Sequence, residues 1–423
     1  MKTSIKILGA SLVALSSAMV MTPVVAQSND AIVKIFHRFA DEPARSSRMK
    51  MFEICSAQTG IEYEESYVPS EQYEVQLPIQ LSSSSSPDIY ALWPGGRAQF
   101  QAENGRIVAL GDDWNDIKDN IWPGVQATST EPDGNVYGIP YTFLPNMIWY
   151  NTGVFEAAGA QVPTNWEEML TAAEKIKASG VTPFVIGSKH GYEPLFWFDY
   201  LILRTAGSDF RARLVAGEES YLDPKIVLAM ELWAELIEKG YFNENYNSLS
   251  WREMVSAVAQ ERGAMMLMGP WIFGSFTEAG LEPTTDFSTF LFPEIDPAAG
   301  LAVEGAVSSF SLSGAGSASE NAMILLKCTT ELEPQVAFAT MSQQLSANPG
   351  VTVESYDDAD VHPFIETYFD TMSEPFHQNF ELAAHPGLTE VAKREMPRFM
   401  TFPDQYMDVL NRLEERRLEV HGE

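Results

Sequence analysis

The sequence predicts an α/β protein of two domains, with its ligand site where strands end. Three observations carry this. The chain has 423 residues, more than one ordinary hydrophobic core accommodates. Its first part alternates β-rich runs with helical patterns, the order that builds a parallel sheet. A second series of strands and helices follows, and extended segments join the two. In such sheets ligands sit beyond the carboxyl ends of the strands.

Composition bounds the function. Apolar residues make up 45% and aromatics 11%, enough material for two cores. The formal net charge is -31, which excludes nucleic acid or an anionic membrane held through a basic surface. Lys2 and Lys6 precede a mostly apolar run from Ile7 to Met21, and Val24-Val25-Ala26 fits a small-residue cleavage site before Gln27. Residues 1–26 therefore read as a signal peptide cut near Ala26, and the mature protein as soluble, exported and periplasmic. No cysteine stands at that cleavage point to carry a lipid anchor. Cys55 and Cys328 are the two cysteines. Export permits their pairing, but both lie in amphipathic helical patterns, which favours two free buried thiols.

The elements follow in order. Ala31 to Phe36 is a buried strand, Ala44 to Thr59 a helix stopped by Gly60, and Ile61 to Val68 an alternating strand. Glu71 to Leu81 is helical in pattern despite Pro78. Ser82 to Ser86 is a surface loop, and Pro87 to Trp93 is a third strand ending at Pro94-Gly95-Gly96. The strand ends offer His37-Arg38 and Trp93 to Arg97. Tyr137 to Tyr141 and Asn146 to Tyr150 are extended and mark a domain crossing. Thr164 and Glu167 form a capping box before a helix closed by Gly180. Val181 to Gly187 is a strand, and Leu195 to Ala206 a helix apolar on most sides. Asp223-Pro224 caps the next helix, and Ser250 with Glu253 boxes another. Ala264 to Met268 is a strand broken at Gly269-Pro270, with Trp271 directly after it. Asp286 to Ile295 is a second crossing, and Leu301 to Leu312 belongs to a sheet. Gly314 to Ser319 is a turn into a helix near Glu320, and the remainder is helical in pattern.

No nucleophile elbow and no His-Glu-x-x-His pattern occurs. The six histidines are scattered, so neither a metal nor a cofactor is implied. With 58 carboxylates, a glycosidase pair stays open as an alternative. The aromatics say more. Trp93, Tyr141, Phe143, Tyr192 and Trp271 all fall at strand ends or crossings. A sugar ring has apolar faces and a hydroxyl rim; aromatic planes suit the faces and polar side chains the rim. Glu193 and Arg97 would supply such polar contacts.

Four stretches carry a resemblance. They are Ser86-Pro-Asp-Ile-Tyr-Ala-Leu-Trp93 with Gly95-Gly96; Tyr137-Gly-Ile-Pro-Tyr141 through Trp149 to Gly159; Pro163-Thr-Asn-Trp-Glu-Glu168; and Gly263-Ala-Met-Met-Leu-Met-Gly-Pro-Trp271. In this order they resemble the extracellular solute-binding proteins of ABC importers, in the branch that includes maltose-binding protein. The resemblance implies a type II periplasmic-binding-protein fold: two hinged α/β lobes around a central ligand cleft. Residues 27–142 plus 296–335 would form the N-terminal lobe, and 143–295 plus 336–423 the C-terminal lobe. Trp271 matches the family's ligand-stacking aromatic. Tyr192-Glu193 resembles its Glu-Pro-Tyr loop, in a different residue order. Trp93 and Arg97 match contacts from the first lobe, and His37-Arg38 a contact after the first strand. Ser309 falls in Ala306-Val-Ser-Ser309, where many members carry paired glycines and an aromatic. That departure, with Ala383-Ala384-His385 in place of another aromatic, implies a ligand smaller than a long maltodextrin.

The implied function is a monomeric, non-enzymatic binder that delivers a sugar, oligosaccharide or polyol to the permease subunits of an ABC transporter. Two alternatives remain at this point. One is a secreted carbohydrate-active enzyme using a carboxylate pair. The other is a binder of a non-sugar solute such as glycerol phosphate, for which His37, Arg38, Arg97 and Lys189 are the basic candidates.

Overall fold

A computed structural model describes residues 32–83, 86–314 and 320–422. The signal-peptide reading, the centre of the serine loop and most of the Gly314–Ser319 turn lie outside the described residues. No helix of the described residues is long and apolar enough to cross a membrane.

The described strands are β1 (Val33–His37), β2 (Tyr63–Tyr67), β3 (Ile89–Leu92), β4 (Ile139–Pro145), β5 (Met147–Asn151), β6 (Thr182–Phe184), β7 (Gly263–Met268), β8 (Phe287–Phe290), β9 (Val303–Leu312) and β10 (Phe376–Gln378). They form two sheets. The first runs β10-β9-β3-β1-β2, with β4 also paired to β9. Its β1 is parallel to both β2 and β3, as the β-α-β-α-β reading requires. The intervening helices are Ala44–Thr59 and Ser70–Leu81. The second sheet runs β6-β7-β5-β8. Each sheet has its own apolar core. One contains Val33, Phe52, Ile89, Phe310 and Leu325; the other Trp149, Trp197, Trp233, Met266 and Phe399. The protein is two-lobed, one lobe around each sheet.

The chain crosses between sheets at Asn146, the single residue between β4 and β5. The sequence-based lobe boundary at 142/143 thus falls inside β4, which stays in the first sheet to Pro145. Likewise the boundary at 335/336 falls inside the helix Leu332–Ser342, whose Phe338 is buried in the first core. The chain returns to the first sheet once more, at the three-residue β10, which the sequence reading missed as helix.

Three further expectations need correction. Cys55 and Cys328 are joined, with Cα atoms 5.7 Å apart. The helices that carry them, Ala44–Thr59 and Glu320–Cys328, share one core, a proximity that two distant amphipathic patterns do not reveal. The cap of the helix Trp166–Ala178 is Asn165, which accepts from Glu168 N at 3.0 Å. Glu168, not Glu167, reaches back to Thr164; an Asn cap satisfies the first turn as well as Thr does. The Val181–Gly187 strand is shorter, limited to β6. The Asp223 cap, the Ser250–Glu253 box and the buried helix Glu193–Thr205 form as read.

Candidate ligand site

A cavity of about 810 Å³ opens between the lobes. Its floor is a small apolar cluster of Leu144, Ala306 and Leu382, against which Trp93 and Trp271 pack. Trp93 comes from the first lobe, just past β3. Trp271 comes from the second, just past β7 in the turn Pro270–Ile272. The sequence builds both positions with glycine. At Gly269 the indole of Trp271 folds back over its own backbone, and a Cβ there would overlap the ring. At Gly95-Gly96 the first lobe's backbone packs directly on that of Leu382 to Ala384; a Cβ on Gly95 would come within 2.7 Å of the Leu382 carbonyl. Tyr192 and Phe196 continue the wall beside Trp271, with centroids 5.7 and 6.2 Å apart in turn. Phe39 and Trp251 also line the space.

Ion pairs join the lobes around this cavity. Asp41 of the first lobe pairs with Arg252 of the second. Glu381 receives both Arg97 and Lys393, each at 2.8 Å. Glu74 pairs with Arg97 at 2.5 Å. Burial opposes ionisation of Glu74, but Arg97 and Lys393 outweigh it and hold the group below its usual value. Arg38 stacks on Trp93 with its guanidinium carbon 4.0 Å from the ring centroid. Burial lowers Arg38 to about 10, so it stays cationic at neutral pH. Arg48 is buried and donates to Tyr141 Oη, Ala44 O, Ser47 Oγ and Gln344 Oε1.

Of the ten residues read from the sequence, four line the cavity: Trp271, Trp93, Tyr192 and Arg38. Arg97 lines a smaller neighbouring cavity on the far side of Trp93 and reaches the main one only through Glu74 and Glu381. The other five are buried away from it. His37 is closed on β1 between Glu65, at 2.8 Å, and the Phe39 amide. Burial lowers its pKa, and Glu65 partly opposes that shift. Tyr141 stacks on Phe310 in the first core, and Phe143 packs edge-on to Phe376. Ser309 is buried in β9, between Leu92 of β3 and Pro140 of β4. Glu193 is 1% exposed, and among the described residues neither carboxylate oxygen has a hydrogen-bond partner. Burial, reinforced by Glu381, raises its pKa to about 7. Alternation along β4 turns Phe143 away from the cavity that Leu144 lines; His37 and Glu193 each stand one residue from a lining side chain, Arg38 and Tyr192, and are themselves buried.

Sequence reading missed Phe196, Trp251, Glu381 and Lys393 among the lining residues. Phe196 sits one helical turn from Tyr192, a spacing that could have found it. Trp251 was read only as part of a capping box. Glu381 and Lys393 arrive from the C-terminal segment through tertiary contacts with no local signature.

Among the described residues no group of three His, Cys, Asp or Glu stands together as a metal site. The cavity offers aromatic faces, an apolar floor and a polar rim, an arrangement for holding a small polar molecule.

The family model described as bacterial extracellular solute-binding protein matches residues 49–327. An uncharacterized ABC transporter extracellular-binding protein of Pyrococcus horikoshii is 24% identical over 220 residues, 51% of this chain and 49% of its own length. The alpha-glucosides-binding periplasmic protein AglE of Rhizobium meliloti is 31% identical over 199 residues, 44% of this chain and 42% of its own. The chain thus spans about half the length of these curated relatives. The solved structure of the bacterial solute receptor AcbH, described as having an exclusive preference for β-D-galactopyranose, superposes with a TM-score of 0.83 at 20% identity. It covers 92% of this chain and 98% of that one.

Proposed function

The chain belongs to the bacterial extracellular solute-binding protein family, and from that premise we propose that it captures a sugar, short oligosaccharide or polyol and delivers it to the permease of an ABC importer. The observation that carries this reading is the pair Trp93 and Trp271. One comes from each lobe, and both pack on the apolar floor of Leu144, Ala306 and Leu382. Two aromatic planes over a shared floor suit the two faces of a pyranose. A volume of about 810 Å³ lies within the usual range for small-molecule sites and suits a ligand of a few rings at most. The similarity to AglE, an alpha-glucosides-binding periplasmic protein, supports the same ligand class.

The family is one of binding proteins, and in this reading the chain binds without chemistry, as an exported monomer whose lobes close on the solute. The test is isothermal titration of the mature chain against a panel of mono- and disaccharides and polyols, with melting temperature followed in parallel. A true ligand at a thousand times its Kd stabilises by about 4 kcal/mol. If no member of the panel binds or raises the melting temperature, the reading fails. Release of products from a bound oligosaccharide over time would overturn the non-enzymatic part of it.

A further inference from the structure

We infer that the solute is an acidic sugar of the uronate type, with its carboxylate received by Arg38. This rests on the sugar-binding reading above and narrows it.

The inference starts from the hydrogen bonds of the basic groups around the cavity. Arg252 is paired with Asp41, and Lys393 with Glu381. Arg48 lacks a carboxylate, but four oxygen acceptors occupy its three nitrogens. Arg38 is different. Its one hydrogen bond to the described residues is from Nη2 to Ser308 Oγ at 3.5 Å, at the limit of such a contact. Among the described residues Nε and Nη1 have no acceptor. No carboxylate pairs with it among the described residues, in a chain carrying 58 carboxylates against 27 Lys and Arg. Arg48 and Arg97 repel it, and Glu74 attracts it only from beyond hydrogen-bond distance. Arg38 and Arg48 both lie over Phe39, at 4.8 and 4.3 Å from the ring centroid.

A half-buried guanidinium with open donors and no carboxylate within hydrogen-bond reach among the described residues is costly to maintain. An incoming anion would offset that cost. The carboxylates that line the cavity are engaged or peripheral. Asp41, Glu74 and Glu381 are in the ion pairs described. Glu42 accepts from Ser46 N, and Glu278 is exposed. A positive corner thus lies against Trp93, on the aromatic wall itself. A hexuronate suits both features. Its ring has a face for the indole, and its planar carboxylate at the ring edge matches the guanidinium fork in bidentate fashion.

The experiment is titration of the full mature chain with D-glucuronate, D-galacturonate and digalacturonate. Their neutral parents D-glucose, D-galactose and galactobiose form the second arm, and D-glucose 6-phosphate the third, each at low and high salt. The expected result is that an acid form binds about ten- to a hundredfold tighter than its neutral parent. Salt should narrow the gap without closing it, because the pair is partly buried. Arg38→Gln should abolish the preference and Arg38→Lys retain part of it. If the glutamine variant does not fold, the wild-type comparison and the lysine variant still decide. A neutral parent that binds as well as its acid overturns the inference and leaves the sugar-binding reading standing. Preference for the sugar phosphate overturns the uronate assignment. Absence of binding in every arm overturns the uronate assignment, while the sugar-binding reading falls only if the wider panel of sugars and polyols is also silent.

Discussion

Replacing Trp271 by Ala isolates the stacking wall of the second lobe. The indole is half-buried, leaning on Phe196 and on the floor of Leu144, Ala306 and Leu382. Its remaining surface lines the cavity. A fully buried Trp removes roughly 150–250 Å² from water, so one face covered by a sugar ring accounts for about 80–100 Å². At about 25 cal/mol per Å² this is worth around 2–2.5 kcal/mol, or about thirty- to seventyfold in Kd. Partial refilling of the space by Phe196 and by the ligand reduces that figure, so a loss of tenfold or more is the expected outcome. Isothermal titration measures it, and circular dichroism checks that the variant folds. Phe143→Leu is the control. It touches a core residue of the crossing strand that does not line the cavity, and should change affinity by less than about twofold while lowering stability by about 1 kcal/mol. Unchanged affinity in Trp271→Ala would remove the indole from the site. An equal loss in both variants would show that general destabilisation, not stacking, is being read.

Other perturbations test the frame around the site. The Cys55–Cys328 link spans 273 residues, so the double Ser variant should lose about 3–5 kcal/mol in denaturant unfolding; identical curves with and without reductant would show that the bond does not form. Glu131 is buried and accepts from Gly95 N at 2.6 Å, and burial raises its pKa to about 8. The folded state therefore holds a proton that the unfolded state releases above its ordinary value of 4.5, and this contribution is lost as pH rises toward 8. Glu131→Gln should match the wild type near pH 4 and become the more stable of the two by pH 8, and parallel pH profiles would refute the assignment. His377 has the opposite sign: burial lowers it to about 3, so its contribution disappears as pH falls from 6.5 toward 3, and His377→Gln should flatten the acid limb of a melting-temperature profile. Arg204→Met should cost about 3 kcal/mol or more, because it leaves the carbonyls of Phe292 and Ala302 unpaired; a smaller loss would mean that water takes the place of the guanidinium.

Local signals were legible in the sequence, and long-range ones were not. The helix Ala44–Thr59 and the parallel order of β1, β2 and β3 follow from periodicity and stop residues within a short window. Trp271 was found because Gly269-Pro270 ends a strand just before it. Tyr141 and Phe143 were misplaced for the same reason that made them attractive. They lie just before the crossing at Asn146, in β4, which stays in the first sheet to Pro145 and buries both. Glu193 and His37 sit directly beside lining residues, and a one-residue step turns a side chain from cavity to core. The disulfide, the pairing of β10 with β9 and the approach of Glu381 and Lys393 to the first lobe depend on contacts between residues far apart in the chain, where no pattern of spacing survives.

The buried helix Glu193–Thr205 ties the cavity to the crossings. Its first turns carry Tyr192 and Phe196, both in the cavity wall. Further along, Tyr200 Oη donates to the carbonyl of Asn146, the first crossing, at 2.5 Å. Arg204 donates to Phe292, Pro293 and Ala302 along the second. Asp199 accepts from Phe380 N and holds Arg211 in a bidentate pair, and Arg211 in turn donates to Gln378 O, where the chain leaves β10. Both passages between the sheets, and the exit of the chain from β10, are thus hydrogen-bonded to this helix or to its partner Arg211. The bonds are buried, so breaking any of them costs more than it would at the surface. Rotation of one lobe against the other has to work against these anchors, and the lowest-cost motion keeps the helix and its three attachments together as one body. A solute that presses on Tyr192 and Phe196 bears on that same body. This accounts for full burial along the whole length of Glu193–Thr205, where a helix packed only on one lobe would keep a solvated face.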